Sequence, residues 1–328
     1  MKILVTGGAG HIGSNLVRRL ILSGYDVFVA DNLWRGKIEN LKDNGRGIID
    51  FDTRYFDVDL REYSNCLMSS RNMDIVIHLA DIVAGINFVF NNQHFLYRAN
   101  ILMNSHMLDA AIQNKVKKYL YVGTACSYPA EKQSILNSPP LKEKDAYPAN
   151  PESSYGWSKL MGEYECELVQ KEGSIQISIL RLHNVYGPFC EMSPEKSQVI
   201  PALCRKAVNY PEEKFIVWGS GEQKRAFLYI DDAVEAIISG INHGMNNGVI
   251  QIGPAKSYSI ADIAQRIVRI SGKDIDVTFD PSMPEGDRDR SADSSKAKEV
   301  LDWKQKVTLD DGLKTTFNWA NDYLKKNC

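Results

Sequence analysis

Residues 1–13 read MKILVTGGAGHIG. Lys2 to Thr6 is a short apolar run without alternation, the pattern of a strand buried on both faces. Gly7, Gly10 and Gly13 follow in the spacing G-x-x-G-x-x-G, and SNLVRRLILSG then runs on at a helical period. A strand, a glycine loop and a helix in that order let the backbone approach a pyrophosphate, which the helix N-terminus stabilises. Glycines alone are equally consistent with an ordinary tight turn. The deciding context is the next buried strand, YDVFVAD, which ends on Asp31. A carboxylate there accepts both ribose hydroxyls of NAD and repels the extra phosphate of NADP. The expected cofactor contacts are Gly7, Gly10, His11, Ile12, Gly13, Asp31 and Asn32, then Asp57 and Val58 near the adenine, and Leu79 and Ala80 at a later strand end.

Outward from that stretch, further apolar runs are DIVIHLA (74–80), KYLYVGT (118–124), QISILRL (176–182) and VIQIG (249–253). Helical patterns such as NILMNSHMLDAAIQN and SYGWSKLMGEYECELVQKE lie between them. Strand, helix, strand at this spacing means right-handed crossovers and a parallel sheet covered on both faces. The fold expected is α/β, a Rossmann doubly wound parallel sheet with a smaller C-terminal substrate-binding lobe. The Rossmann domain is placed at 1–186 and the lobe at 187–328, interleaved, with part of 226–254 returning to the sheet. In the lobe, VIPALCRKAV reads as a helix and FIVWGSGEQKRAFLYIDD as strand, turn, strand. SIADIAQRIVRISG reads as a helix, IDVTFDP as a strand, and the tail as two short helices.

A chain of 328 residues with 44% hydrophobic content is long enough for a large core. Its formal net charge of -2, with both signs well mixed, offers no basic field for nucleic acid. The first apolar stretch is too short for a signal peptide, and no window reaches the roughly 18 apolar residues of a membrane span. The six cysteines, Cys66, Cys126, Cys166, Cys190, Cys204 and Cys328, form no CxxC pair and no metal-ligand spacing with histidine. Free thiols of this kind fit a reduced, cytoplasmic protein with no metal site.

Tyr155 and Lys159 stand at i and i+4 in SSYGWSKL, on one helix face. A tyrosine ordinarily ionises near ~10. An adjacent ammonium and a bound nicotinamide cation lower that, making Tyr155 a general base, with Lys159 also holding the nicotinamide ribose. Thr124, at a strand end upstream, can share the proton path. Alone, a Y-x-x-x-K pair is a common accident of helix surfaces; behind a dinucleotide loop it reads as chemistry.

GGAGHIG, the Asp31 strand end, HLA at 78–80, Thr124 and Tyr155-x-x-x-Lys159 together resemble the extended short-chain dehydrogenase/reductase family. The resemblance covers nearly the whole chain, including NVYGP (184–188), WGSGEQKRAFLYIDD (218–232) and EVLDW. Within the family's nucleotide-sugar epimerase branch, ACSYP (125–129) is similar to GDP-mannose 3,5-epimerases and to GDP-fucose synthases, which carry a cysteine after the catalytic hydroxyl. LKEKDAYPANPESSYGWSKL and PEGDRDRSAD look like the former, SQVIPALCRKA and IVWGSG equally like the latter, and Asp31 argues against an NADPH-dependent reductase. The acid pair of 4,6-dehydratases is replaced by Ala125 and Cys126.

The resemblance implies a NAD-dependent oxidation of a nucleotide sugar at C4, with Tyr155 taking the proton. Cys126 would then move a proton at C3 or C5; otherwise it is a small buried side chain at a strand end. The family's second acid-base falls on Gln198, an amide that cannot donate a catalytic proton usefully, with Lys196 its possible substitute. Asn184, Gln198, Val199, Lys206, Trp218, Gln223, Arg225 and Arg288 are the implied substrate contacts, with Arg290 a further candidate. Cations suit a diphosphate, and arginine adds bidentate geometry. The implied substrate is GDP-linked, and the implied assembly a homodimer through a four-helix contact. The rival expectation is a C4-epimerase or C4-dehydrogenase of another nucleotide sugar, with Cys126 a bystander.

Overall fold

The computed structural model describes residues 1–326. Seven strands form one all-parallel sheet: β1 (Lys2–Thr6), β2 (Asp26–Ala30), β3 (Tyr55–Phe56), β4 (Ile75–His78), β5 (Lys118–Thr124), β6 (Gln176–Leu182) and β7 (Val249–Ile252). Their spatial order is β7-β6-β5-β4-β1-β2-β3, the doubly wound arrangement expected, with its reversal of winding between β1 and β4. VIQIG does return to this sheet, pairing in parallel with β6.

The core explains why these runs lack alternation. Ile3 and Val5 of β1 face one apolar layer with Leu16, Val17 and Leu20 of α1 (His11–Leu22) and Ala233 and Ile237 of α6 (Ile230–His243). Leu4 faces the other, with Cys66 of α2 (Tyr63–Ser70), Met103 and Met107 of α3 (Gln93–Gln113) and Cys166 of α4 (Ser154–Glu172). Both faces are buried, so both residue parities must be apolar. Register sets the site. Thr6 lies opposite both Ala30 and His78, so Gly7, Asp31 and Leu79 leave the sheet at one level. Thr124 lies opposite Leu182, bringing Ala125 and His183 out at the same edge.

The C-terminal part departs from the expected pattern in two places. FIVWGSGEQKRAFLYIDD makes three strands, Ile216–Trp218, Lys224–Arg225 and Phe227–Tyr229, each in a different small sheet. The chain switches partners at Ala226, whose N–H donates to Arg290 O while its carbonyl accepts from Asn184. The tail ends in one short helix, Ser295–Leu301, and one long helix, α8 (Leu309–Lys326). α8 buries Leu309, Leu313, Thr316, Phe317 and Ala320, a 3.6-period stripe that the polar composition of the tail hides. Two more helices complete this part, α5 (Val199–Val208) and α7 (Ile260–Ser271).

Candidate active site

The strand ends open onto one cavity of about 710 Å3. Its floor is the glycine loop. A Cβ at Gly13 would stand 2.2 Å from Gly7 O, so only glycine lets the first turn of α1 close against the loop. Gly7, Gly10, His11, Ile12 and Gly13 all line the cavity. The Nε2 atom of His11 is buried without a hydrogen-bond partner among the described residues. Burial, helped by Arg35, pushes that imidazole down to about 3, so the ring is neutral.

Asp31 sits beside this loop, 9% exposed. Its carboxylate accepts from Ala9 N at 2.9 Å and Leu33 N at 2.8 Å. Burial pushes the carboxyl up, against the pull of those two N–H groups. Asn32, Val58, Leu79 and Ala80 line the cavity, whereas Asp57 is exposed and off its wall. The glycine cradle and the Asp31 carboxylate fit the adenosine end and pyrophosphate of NAD.

Thr124 caps the short turn Ala125–Ser127 by accepting from Cys126 N, which holds both side chains at the end of β5. Helix α4 starts directly above, capped by Ser153. A Cβ at Gly156 would lie 2.1 Å from Cys126 O, so this glycine allows α4 to press on the cysteine turn. Tyr155, Lys159, Thr124 and Cys126 therefore share one wall. The Thr124 hydroxyl beside it pulls the Tyr155 phenol down. The phenol donates to Asp81 Oδ2 at 3.1 Å, and Lys159 Nζ lies 3.5 Å from the same oxygen and 4.7 Å over the Tyr121 ring.

This surrounding works against the lowered phenol that Lys159 and a nicotinamide cation would give. Burial, then the Asp81 charge and then Cys126 hold the Tyr155 phenol well above the ordinary tyrosine range. The sequence implies two cations beside Tyr155, Lys159 and the nicotinamide, and Asp81 is the partner that it did not bring out. Its signal was available, an acidic residue directly after the strand end HLA.

Beyond Cys126 the cavity carries two arginines. Arg290, buried, donates to Cys126 Sγ at 3.2 Å and pairs with Asp287. Arg225 runs beside it on the neighbouring strand and donates to Lys224 O and Glu285 O. Burial and the Arg290 charge lower the Arg225 guanidinium to about 10. Arg288 is instead drawn off by Glu285 at 2.9 Å and Glu222 at 3.2 Å and does not line the cavity, so Arg290 takes the place expected for it. Glu152, on the same wall, was also missed; burial and Asp287 raise its carboxyl.

Asn184, Gln198, Val199, Lys206, Trp218 and Gln223 all line the cavity. Gln223 is buried and donates to Trp218 O, while its Oε1 lacks a partner among the described residues. Lys206 donates to Ile216 O at 2.5 Å, and burial lowers its ammonium. Lys196 is not brought to the site: its Nζ donates to Trp34 O at 2.9 Å and lies 4.8 Å over the Trp34 ring. Gln198, the residue before α5, lines the cavity. The other described cysteines, Cys66, Cys166, Cys190 and Cys204, are buried, and burial raises each thiol.

A doubly wound sheet with a glycine cradle, a ribose-binding carboxylate and a Tyr–Lys pair at its switch point defines a dinucleotide-dependent enzyme. The chain belongs to the NAD dependent epimerase/dehydratase family, whose description matches residues 3–253, and NAD is its cofactor. It is 33% identical over 326 residues to GDP-mannose 3,5-epimerase of Arabidopsis thaliana, covering 99% of this chain and 84% of that one. It is 30% identical to UDP-N-acetyl-alpha-D-glucosaminuronate decarboxylase of Bacillus cytotoxicus, covering 98% of both. The solved UDP-glucose 4-epimerase of Thermotoga maritima superposes with a TM-score of 0.87 at 29% identity, covering 99% of this chain and 100% of that one. The extended short-chain dehydrogenase/reductase resemblance is thereby borne out.

Proposed function

We propose that the protein is a nucleotide-sugar epimerase that oxidises its sugar at C4 and exchanges a proton at C3 or C5, on a GDP-mannose-like substrate. The observation that carries this reading is the shared wall: the Tyr155 phenol and the Cys126 thiol face one cavity that also holds the glycine cradle. NAD, when bound, supplies the acceptor and later the donor of a hydride. Tyr155, with Thr124, takes the proton of the C4 hydroxyl, and Lys159 orients the phenol and the ribose. A ketone at C4 acidifies the hydrogens on C3 and C5. Cys126 as thiolate removes one of them, and the Arg290 N–H at 3.2 Å from its sulfur strengthens as charge develops there. Arg225 and Lys206 serve the diphosphate, and Trp218 and Gln223 the base.

A second reading rests on a specific observation. Gln198 offers only an amide and Lys196 is held by Trp34. A proton taken by Cys126 then lacks a donor of those two kinds on the opposite face, and inversion at C4 alone becomes the alternative. The resemblance to relatives named for both activities supports each reading equally in fold. Incubating the purified protein with GDP-mannose and, separately, UDP-glucose, with products read by NMR, decides between them. Conversion of GDP-mannose with inversion or exchange at C3 or C5 supports the first reading. Conversion of UDP-glucose alone supports the second, and turnover of neither overturns both. We also infer a homodimer through α3 and α4, which pack together and leave Phe95, Tyr97, Tyr164 and Leu168 exposed.

A further inference from the structure

We propose that Glu152 is a second acid–base residue of this site, the group that gives a proton to C3 or C5 of the nucleotide sugar from the face opposite Cys126. The inference rests on the reading above, in which Cys126 removes a proton beside a C4 ketone. Such a step inverts a carbon only when another group delivers a proton from the other side. Gln198 offers an amide, and Lys196 is held by Trp34. A carboxyl group can do the same work, and all but one of those lining the cavity are taken. Asp31 accepts from Ala9 N and Leu33 N, Asp59 from Arg61, and Asp81 from Tyr155. Glu191 accepts from Ser193 N, Glu285 from Ser220 N, and Asp287 from Arg290. Glu152 makes no ion pair among the described residues, and its side chain opens onto the cavity.

The surroundings of Glu152 suit a proton donor. It stands just ahead of Ser153, the cap of α4, and reaches to the loop before Arg288. A Cβ at Gly286 in that loop would lie 3.9 Å from Glu152 Oε2 and 3.4 Å from Arg225 Nη2. Arg290 stands between this carboxyl and the sulfur: it donates to Cys126 Sγ at 3.2 Å and pairs with Asp287, whose charge bears on Glu152. Burial and then Asp287 raise the Glu152 carboxyl, against the pull of Arg290 and Arg225. A diphosphate on Arg225 weakens that pull. The proton is called for at the ketone stage, after hydride transfer has removed the positive charge of the nicotinamide, so that charge does not then hold Glu152 ionised. The C–H bond beside the ketone breaks, its proton bonds to the Cys126 sulfur, and the electron pair forms an enolate. The Glu152 O–H bond then breaks, its proton bonds to the same carbon from the other side, and the ketone re-forms. Cys126 ends as a thiol and Glu152 as a carboxylate, and proton exchange with water resets both.

The test separates removal of a hydrogen from inversion. NAD-loaded wild type, Glu152→Gln and Glu152→Asp are incubated with GDP-mannose in deuterated water. NMR then reads two quantities at C3 and C5: deuterium in the recovered GDP-mannose, and the inverted epimer. Glu152→Gln should keep the label, because Cys126 still removes the hydrogen and returns deuterium from the same face. It should lose inversion by ~100-fold or more, and Glu152→Asp should restore part of it. Retained NAD shows that each variant is folded. In the wild type only the protonated carboxyl donates, so the ratio of inversion to exchange should fall as pH rises, through an ionisation above the ordinary glutamate range. That arm stands even if the variants do not fold, and a ratio indifferent to pH overturns the proposal. Inversion by Glu152→Gln at a near wild-type rate, or equal loss of inversion and exchange, overturns the proposal and leaves the reading of Cys126 intact. Neither label nor inversion at C3 or C5 in the wild type overturns that reading, and the role of Glu152 falls with it.

Discussion

The two reactive side chains on the cavity wall face opposite company. Tyr155 lies against a carboxylate, Asp81, and its phenol is held protonated. Cys126 lies against a guanidinium, Arg290, with Arg225 on the next strand. Near each stands a buried neutral histidine. His78, off the cavity, bonds Thr6 and Asn104, and His183, which lines it, bonds Gln251. Burial drives both imidazoles to about 3, helped by Lys159 for His78 and by Arg290 for His183. Neither wall therefore gains a charge from its histidine near neutral pH, and the difference between them comes from Asp81 and Arg290. One wall sets a carboxylate beside its tyrosine, the other a guanidinium beside its cysteine.

The largest expected effect breaks the tyrosine wall. Tyr155→Phe should keep the fold and the NAD yet lose ~100-fold or more in turnover, measured on the sugar that the wild type converts. A near-normal rate would move the base elsewhere. Next comes Arg290→Lys, which keeps one charge and loses the planar fork shared among Cys126, Asp287 and Gln133. Proton exchange at C3 or C5 should fall by about tenfold or more while C4 oxidation, read as cofactor reduction, changes little. Equal loss of both would show that Arg290 serves substrate binding instead of the thiol.

Smaller effects sharpen the contrast. Asp31→Ala should narrow the preference for NAD over NADP, read by the two dissociation constants, because the lost carboxylate is what accepts ribose hydroxyls and repels the phosphate. Equal affinities already in the wild type would contradict this. Acid should weaken the fold through His78 and His183. Each is neutral when folded, with a pKa near 3 against an ordinary 6.5. The unfolded chain binds these protons first, so stability is full above about pH 6.5 and declines as pH falls toward 3. The thermal midpoint should drop steadily across that window, and replacing His183 by Gln should flatten part of the slope. A midpoint indifferent to acid would contradict the neutral, buried state.

How much of this the sequence carried depended on how local the signal was. The glycine loop, Asp31 and the Tyr155–Lys159 pair were legible because each is fixed by one strand end or one helix turn. β7 was legible from its apolar run alone. Asp81 and Glu152 were not assigned roles, and Arg290 was a candidate for the diphosphate only, because each acquires meaning from partners far along the chain: Asp81 from Tyr155, Arg290 from Cys126, Glu152 from Asp287. EGDRDR offered two arginines with no local reason to choose, and the choice was made by Glu222 and Glu285, which draw Arg288 away. Lys196 looked available until Trp34, 162 residues earlier, proved to hold it. Spacing within an element predicts side-chain direction; pairing between elements does not follow from it.

The claim that Cys126 and Tyr155 act on one sugar is tested most directly by solvent hydrogen. The wild type is incubated with GDP-mannose in deuterated water, and the recovered nucleotide sugar is read by NMR at C3, C4 and C5. The account predicts deuterium at C3 or C5 and none at C4, because the C4 hydrogen travels as hydride and never meets water. Cys126→Ser should take up no label while still reducing bound NAD, since a hydroxyl is far less acidic than a thiol. Conversion of GDP-mannose with no deuterium at C3 or C5 in the wild type would contradict the account and leave Cys126 a structural residue at a strand end.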